Sequence, residues 1–412
     1  MSAKRNFADW ITAYTTYARD GFSPDKFHLW TGFSVLAASL ERKVWVNLGA
    51  KRKHIFPNIY VFLISKPAIG KSTAMDTGVN DILKQIETPE GGIVFLPNQL
   101  SEASFYKKFS EGEKRFLWGK QLISHCSGYL YLSEASNSLK EMAGGGELTS
   151  AMTEFYDCAS SWEKSLVTRK GEVIHNICCN ALVGSTFNFL GILIPQRNIM
   201  GGFASRLLYV VQSDSMVRSP DLEPDRPEDH DKIQKALIED LSQVHRLTGK
   251  FRYEKAFNDE WKRWYAGNDR YVQGLKSERM QALLGRVPTN TLKLAMLCSV
   301  SESDEMILRM RHWERAMELI QTLLLDLDKV LTAGQEGKDQ RSVNSIIMTM
   351  IKQAPDGEAP QKAVIQKLLQ AGVDPTKVMA TISTMQNNSI LSINLRGGKT
   401  YLKALVDPND YL

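Results

Sequence analysis

The chain has 412 residues, 43% of them hydrophobic and 24% charged, with a formal charge of +5. That is an ordinary globular composition with room for two or three domains, and it excludes a uniformly cationic coat for nucleic acid; any such contact has to be a local patch. Five cysteines (Cys126, Cys158, Cys178, Cys179, Cys298), odd in number and without C-x-x-C spacing, argue against a disulfide framework or a zinc cluster. The start, Met1 to Trp10, has no apolar targeting core, and no apolar run approaches a membrane span, so a soluble cytoplasmic protein with no membrane partner is expected.

In chain order, residues 1–45 form a helical segment, with Phe27, Trp30, Phe33, Ala37 and Leu40 at helical spacing. Residues 46–212 alternate strand and helix. Strand candidates are Ile59–Ile64, Ile93–Leu96, Tyr129–Leu132, Ile177–Gly184 and Leu207–Val211, which predicts an α/β domain with a mostly parallel sheet covered on both faces. Residues 213–231, dense in Pro and Asp, read as a linker. A helical region covers 232–331, and 332–341 reads as a second linker. The tail, 342–405, predicts three helices followed by strands Ile390–Leu395 and Thr400–Leu405 around the tip Arg396-Gly397-Gly398-Lys399, a winged-helix arrangement, with 406–412 as a short end piece. Between Pro375 and Val406 there is no Asp or Glu, whereas Lys377, Arg396, Lys399 and Lys403 are present. That basicity suits phosphate contacts; docking to protein is the alternative.

The residues that carry most chemistry are Ser65-Lys66-Pro67-Ala68-Ile69-Gly70-Lys71-Ser72. An apolar strand precedes them and a helical stretch from Thr73 to Glu87, closed by Pro89, follows. Strand, tight loop, then Gly-Lys-Ser opening a helix is the geometry of a phosphate-binding loop, in which backbone N–H groups and the helix N-terminus cradle phosphates. Lys71 would reach the outer phosphates and the Ser72 hydroxyl would hold Mg²⁺, with Ser65, Gly70 and Thr73 completing the site for ATP. Ser65 stands where the first glycine of such loops is expected.

Gly128–Leu132 leads into Ser133-Glu134, an apolar strand ending in a carboxylate. Ser133 occupies the place of the usual metal-holding Asp. Glu134 is therefore the candidate general base and metal neighbour, against the plainer reading of an exposed acid after a strand. Cys178–Gly184 ends at Ser185-Thr186, where Thr186 is a candidate polar sensor of the γ-phosphate. Gly201-Gly202-Phe203-Ala204-Ser205-Arg206 leads into the last core strand, and Arg206 is placed to act on a neighbouring subunit's nucleotide or to form a salt bridge at the surface. Ser165–Thr168 and Val173–His175 flank Arg169-Lys170-Gly171-Glu172, a hairpin whose basic tip, Arg169 and Lys170, either touches the backbone of single-stranded DNA or is a solvated turn. Arg286 and Lys293 are candidates for a second sensor that nothing local singles out.

From Phe27 to Val211 the chain resembles the P-loop replicative helicases of bacteriophages and mobile elements, relatives of primase-helicase ATPase domains and of superfamily 3 and AAA+ ring helicases. The resemblance rests on Phe27-His28-Leu29-Trp30, on Pro57-Asn58-Ile59-Tyr60 leading into the loop, on Ser133-Glu134 with the Leu139 region, and on Gly201–Arg206. That family often carries a Ser-Glu pair at the acidic strand end, and Ser205-Arg206 resembles the arginine-finger segment of ring ATPases. The resemblance implies a P-loop NTPase (AAA+/RecA-like) core and a hexameric ring on single-stranded or forked DNA. It also implies Mg-ATP hydrolysis for DNA replication in a bacterial host cell. No room for a primase precedes Phe27, so priming would need a separate primase or initiator.

Overall fold

The computed structural model describes residues 4–19, 21–49, 51, 53–86, 91–97, 102–133, 147–166, 169–187, 202–212, 228–354, 356–370 and 373–407. The chain divides into two units, Met1–Leu331 and Thr332–Leu412. No helix among the described residues is long and apolar enough to cross a membrane.

In the first unit Asp9 caps helix α1 (Trp10–Ala18), accepting from the Thr12 N–H. Helix α2 (Asp25–Leu40) is buried further round than its apolar spacing implies, since Thr31, Ser34 and Ser39 are inside along with Phe27, Trp30 and Phe33. A helix covered on all sides is a core element. Helix α2 is thus part of this unit's interior. Strands β1 (Val44–Leu48) and β2 (Lys53–Ile55) form an antiparallel hairpin that the sequence reading missed.

The run Tyr60-Val61-Phe62-Leu63-Ile64 is apolar on both faces, which suits a strand covered above and below. It is β3 (Tyr60–Ser65), buried throughout. Helix α3 (Lys71–Val79) follows and stops well short of Glu87. After α4 (Glu102–Glu111), strands β4 (Glu113–Trp118) and β5 (Gln121–Leu132) form a second hairpin. Helix α5 (Glu147–Tyr156) precedes β6 (Ser161–Leu166) and β7 (Arg169–His175), then come β8 (Ile177–Ser185) and β9 (Leu207–Gln212). The central sheet has the order β4-β5-β8-β3-β9, parallel from β5 to β9 with β4 antiparallel at the edge. The expected strand at Ile93–Leu96 contributes a single parallel bridge, Phe95 to Tyr129.

Helices α6 (His230–His245), α7 (Lys255–Gln273), α8 (Glu278–Leu284) and α9 (Val287–Glu302) complete the expected helical region. Short strands accompany them: β10 (Gly249–Lys250) extends β1 in parallel, and β11 (Arg252–Tyr253) pairs with β12 (Ile307–Leu308). Most of the 213–231 connector lies outside the described residues. Helix α10 runs from Met310 to Gln353, so the backbone of 332–341, expected as a linker, is helical.

In the second unit β13 (Glu358–Pro360) precedes α11 (Gln361–Gln370) and α12 (Pro375–Asn387), followed by the hairpin of β14 (Leu391–Arg396) and β15 (Lys399–Ala404). Ile347, Ile351, Val364, Leu368, Val378, Ile382, Leu391 and Leu402 form one apolar core there. The sheet order is β13-β15-β14, so a third strand joins the expected pair.

Candidate nucleotide site

The loop from Ser65 to Gly70 leaves the carboxyl end of β3 and turns into α3 through two left-handed residues, Ala68 (φ 62°) and Gly70 (φ 76°). Such turns point successive N–H groups into one concavity. Gly70 has a second reason to lack a side chain: a Cβ there would lie 2.6 Å from the Phe22 carbonyl oxygen and 2.8 Å from Ser23 Oγ. Ser23 Oγ also donates to the Gly70 carbonyl at 2.9 Å. The loop is therefore braced by Phe22-Ser23, a contact that sequence spacing gave no means of finding.

Lys71 curls back over the loop. Its Nζ donates to Ser65 Oγ at 2.8 Å, to the Lys66 carbonyl at 2.9 Å and to the Ser65 carbonyl at 3.3 Å. Ser65, the departure from the expected glycine, thus supplies a hydroxyl to the lysine. Ser72 and Thr73 are exposed on the first turn of α3, whose N-cap, Gly70, has no side chain to cap the helix start.

Strand β8 lies between β3 and β5, bringing their carboxyl ends together. Ser185 pairs with Ile64, and a Cβ on Gly184 would overlap the Ser133 carbonyl oxygen. The Ser185 hydroxyl, in a residue only 4% exposed, has no hydrogen-bond partner among the described residues. Tyr131 of β5 donates to Asp76 Oδ1 of α3 at 2.5 Å, tying the acidic strand to the helix that opens at Lys71. Burial, then the Asp76 carboxylate, pushes the Tyr131 phenol far up, so it stays a donor. Thr186 follows β8 directly and is half-buried, at the same end of the sheet. Glu134 and the Leu139 region lie outside the described residues.

Arg206 sits elsewhere. It ends a 3-10 turn, Ala204–Arg206, just before β9, and Leu207 pairs with Tyr60 while Gln212 pairs with Ser65. Five strand steps, about 16 Å, separate the two ends. Within one subunit Arg206 is thus at the far end of the sheet from the loop. Nor is it a surface residue: it is 5% exposed and donates to Asp157 Oδ2 and the Gly202 carbonyl, each at 2.5 Å. Arg286 meets the same carboxylate at 3.0 and 3.2 Å. Burial raises the Asp157 pKa, but hydrogen bonds and charge from Arg206 and then Arg286 outweigh it and hold the carboxyl below its ordinary range.

Lys293 belongs to the same cluster. Its Nζ donates to the Asn58 carbonyl and Oδ1, both at 2.8 Å, and lies 3.5 Å from the centre of the Tyr156 ring. Burial lowers its pKa to about 8. Arg286 and Lys293, which the sequence left unplaced, are brought together with Arg206 by Asp157 and Tyr156.

The 161–175 hairpin is present, with a shifted tip. Leu166 pairs with Arg169, so Arg169 and Lys170 open the returning strand instead of forming the tip. Their side chains, like that of Lys377 on α12, lie outside the described residues. On the tail hairpin Arg396 and Lys399 are exposed, but Glu358 of β13 lies 3.4 Å from Arg396 and 3.7 Å from Lys403. The acid-free window from Pro375 to Val406 is therefore answered by a carboxylate from outside it, through the pairing of Glu358 with Lys403.

Comparison with protein-family models and with curated protein sequences gives no match.

Proposed function

We propose that the chain is a P-loop ATPase that drives movement along DNA, a helicase or translocase for phage or mobile-element replication assembled as a hexameric ring. The observation that carries this reading is the Gly70-Lys71-Ser72 turn at the carboxyl end of a buried parallel strand. There a left-handed backbone, a helix start with glycine at its N-cap and a lysine held by neutral oxygens converge. That donor set fits a triphosphate: backbone N–H groups and Lys71 for phosphate oxygens, Ser72 for Mg²⁺, and the unpartnered Ser185 hydroxyl beside Thr186 for the terminal phosphate. Bound ATP would supply a phosphoanhydride to be cleaved by water. Glu134 would orient that water, and Thr186 would sense the γ-phosphate.

Arg206 cannot serve the loop of its own subunit across the length of the sheet, so a catalytic role for it requires a neighbour's site. In a ring, departure from Asp157 would accompany that role. The hairpin bearing Arg169 and Lys170 would follow the DNA strand, and the C-terminal unit, a winged helix, would add Lys377, Arg396 and Lys399. A separate primase or initiator would deliver the ring to forked DNA.

Strand displacement on a forked duplex, with wild type and Lys71→Ala, tests the motor. Unwinding by wild type and none by the variant is expected; equal unwinding by both refutes it. The pairing of Arg206 with Asp157 favours a second reading, a nucleotide-switched DNA-binding or origin-loading factor, because a tied arginine adds nothing to hydrolysis. DNA-stimulated ATP turnover separates the two, since a switch shows little of it.

A further inference from the structure

From Arg42 to Met75 the chain has no Asp or Glu but carries Arg42, Lys43, Lys51, Arg52, Lys53, Lys66 and Lys71. The acid that precedes this stretch does not offset it at the surface. Glu41 is 2% exposed and turned inward, 2.5 Å from Lys114 and 3.6 Å from Lys43. Lys51, Lys53 and Lys250 remain exposed and form no ion pair among the described residues.

Lys250 shares a strand face with a cluster of rings, and Lys53 directly precedes one of them, His54. Trp45 of β1 is buried on Phe56, His54 stacks on it at 5.1 Å, and Trp118 meets it edge-on at 4.9 Å. Trp118 ends β4 at the hairpin tip and is 43% exposed, and His54 is exposed too. Lys250 lies opposite Trp45 in the β1–β10 register. Burial and then the positive charges of Arg42 and Lys250 hold the His54 imidazole below its ordinary pKa, so it is a neutral ring. Exposed ring faces among unpaired ammonium groups suit unstacked bases on a phosphate backbone.

We propose that the β1–β2 hairpin and the tip of the β4–β5 hairpin form a binding surface for single-stranded DNA. Trp118 and His54 stack on bases, and Lys51, Lys53 and Lys250 answer the phosphates. The choice of DNA over RNA rests on the translocase reading; the surface itself does not need ATP.

The test is anisotropy of fluorescein-labelled dT30 titrated with the full chain, without nucleotide, over a range of salt. Lys51→Ala/Lys53→Ala/Lys250→Ala is expected to weaken binding at least ~10-fold at low salt and to flatten the log–log salt slope by about 2, at roughly 0.7 per lost phosphate contact. Trp118→Ala is expected to cost about 5- to 100-fold, whereas Trp118→Phe, which keeps a ring, stays within about threefold. Unchanged affinity and slope in the triple variant, or no binding by wild type, overturns the proposal. Polyglutamate displacing dT30 at equal charge, with Trp118→Ala without effect, assigns the surface to an acidic polypeptide and also overturns it. The titration contains no nucleotide, so failure of the wild-type chain to retain ATP would sink the motor and leave this surface standing.

Discussion

At the carboxyl end of the central sheet Lys71 rests on neutral oxygens of Ser65 and Lys66, while at the amino end Arg206 and Arg286 share the carboxylate of Asp157. The first arrangement is easily exchanged, because a lysine that leaves two carbonyls and a hydroxyl for an anion trades weak partners for a stronger one. The second resists exchange, because withdrawing Arg206 leaves a partly buried carboxylate with less compensation. In the proposed motor the first end takes the ligand, while the second keeps its charges paired within the fold. If the protein is a ring motor, the two ends meet across a subunit boundary.

Mixing subunits gives the largest expected effect. Lys71→Ala and Arg206→Ala should each lower ATP turnover by about 10³-fold. A mixture of the two should recover activity above the sum of its parts, because some interfaces then join an intact Lys71 to an intact Arg206. Turnover measured against mixing ratio decides it: a strictly additive line confines Arg206 to its structural tie. Thermal unfolding of Arg206→Ala should show a loss of about 2 kcal/mol, with Arg286 keeping Asp157 partly compensated.

Next is the amino end alone, through Lys293. Its folded pKa, about 8, lies below the ordinary lysine value of 10.5, so the unfolded chain holds the proton more tightly. Between those values the unfolded state binds more protons, and stability contributed at this position rises with pH. Denaturant unfolding from pH 8 to 10.5 should show wild type gaining on the order of 1–3 kcal/mol relative to Lys293→Met. A flat difference would mean that Lys293 keeps its proton as readily in the folded chain as in the unfolded one, as when water reaches the ammonium.

The sequence disclosed these two ends unequally, for physical reasons. The loop was legible because strand, glycine and helix start are contiguous, and a local backbone turn makes the cradle. The parallel strands were legible too, since continuous apolar runs mark strands covered on both faces. What lay hidden depended on long-range pairing. Asp157 meets Arg206 and Arg286 only after the chain has folded, and Phe22-Ser23 reaches Gly70 across 47 positions. The β4–β5 hairpin did leave a trace, Gly119-Lys120 between alternating apolar residues, that spacing alone would have revealed. The burial of α2 left none, because its polar positions are covered by neighbours distant in sequence.

A smaller effect sharpens the carboxyl end. Replacing Ser65 by Gly removes the hydroxyl that accepts from Lys71, so the lysine loses one competitor for phosphate. Equilibrium ATP binding should tighten about 2- to 10-fold, the range of one net hydrogen bond. Weaker binding would instead show that Ser65 positions Lys71 for the ligand.

The question of prior engagement extends to the tail hairpin, where the smallest change is expected. Glu358 is buried to 7% exposure, accepts from Asn394 Nδ2 at 3.1 Å and sits beneath Arg396 and Lys403. Both cations are more than half exposed, so each pair is worth at most about 1 kcal/mol. Glu358→Gln keeps an acceptor for Asn394 while removing the charge, which leaves the hairpin one unit more positive in its reach for phosphate. If the tail contacts DNA, duplex affinity of the full chain at low salt should rise about two- to threefold, and its salt dependence should steepen. If the tail docks to protein, neither quantity moves, because the released charge then faces no polyanion.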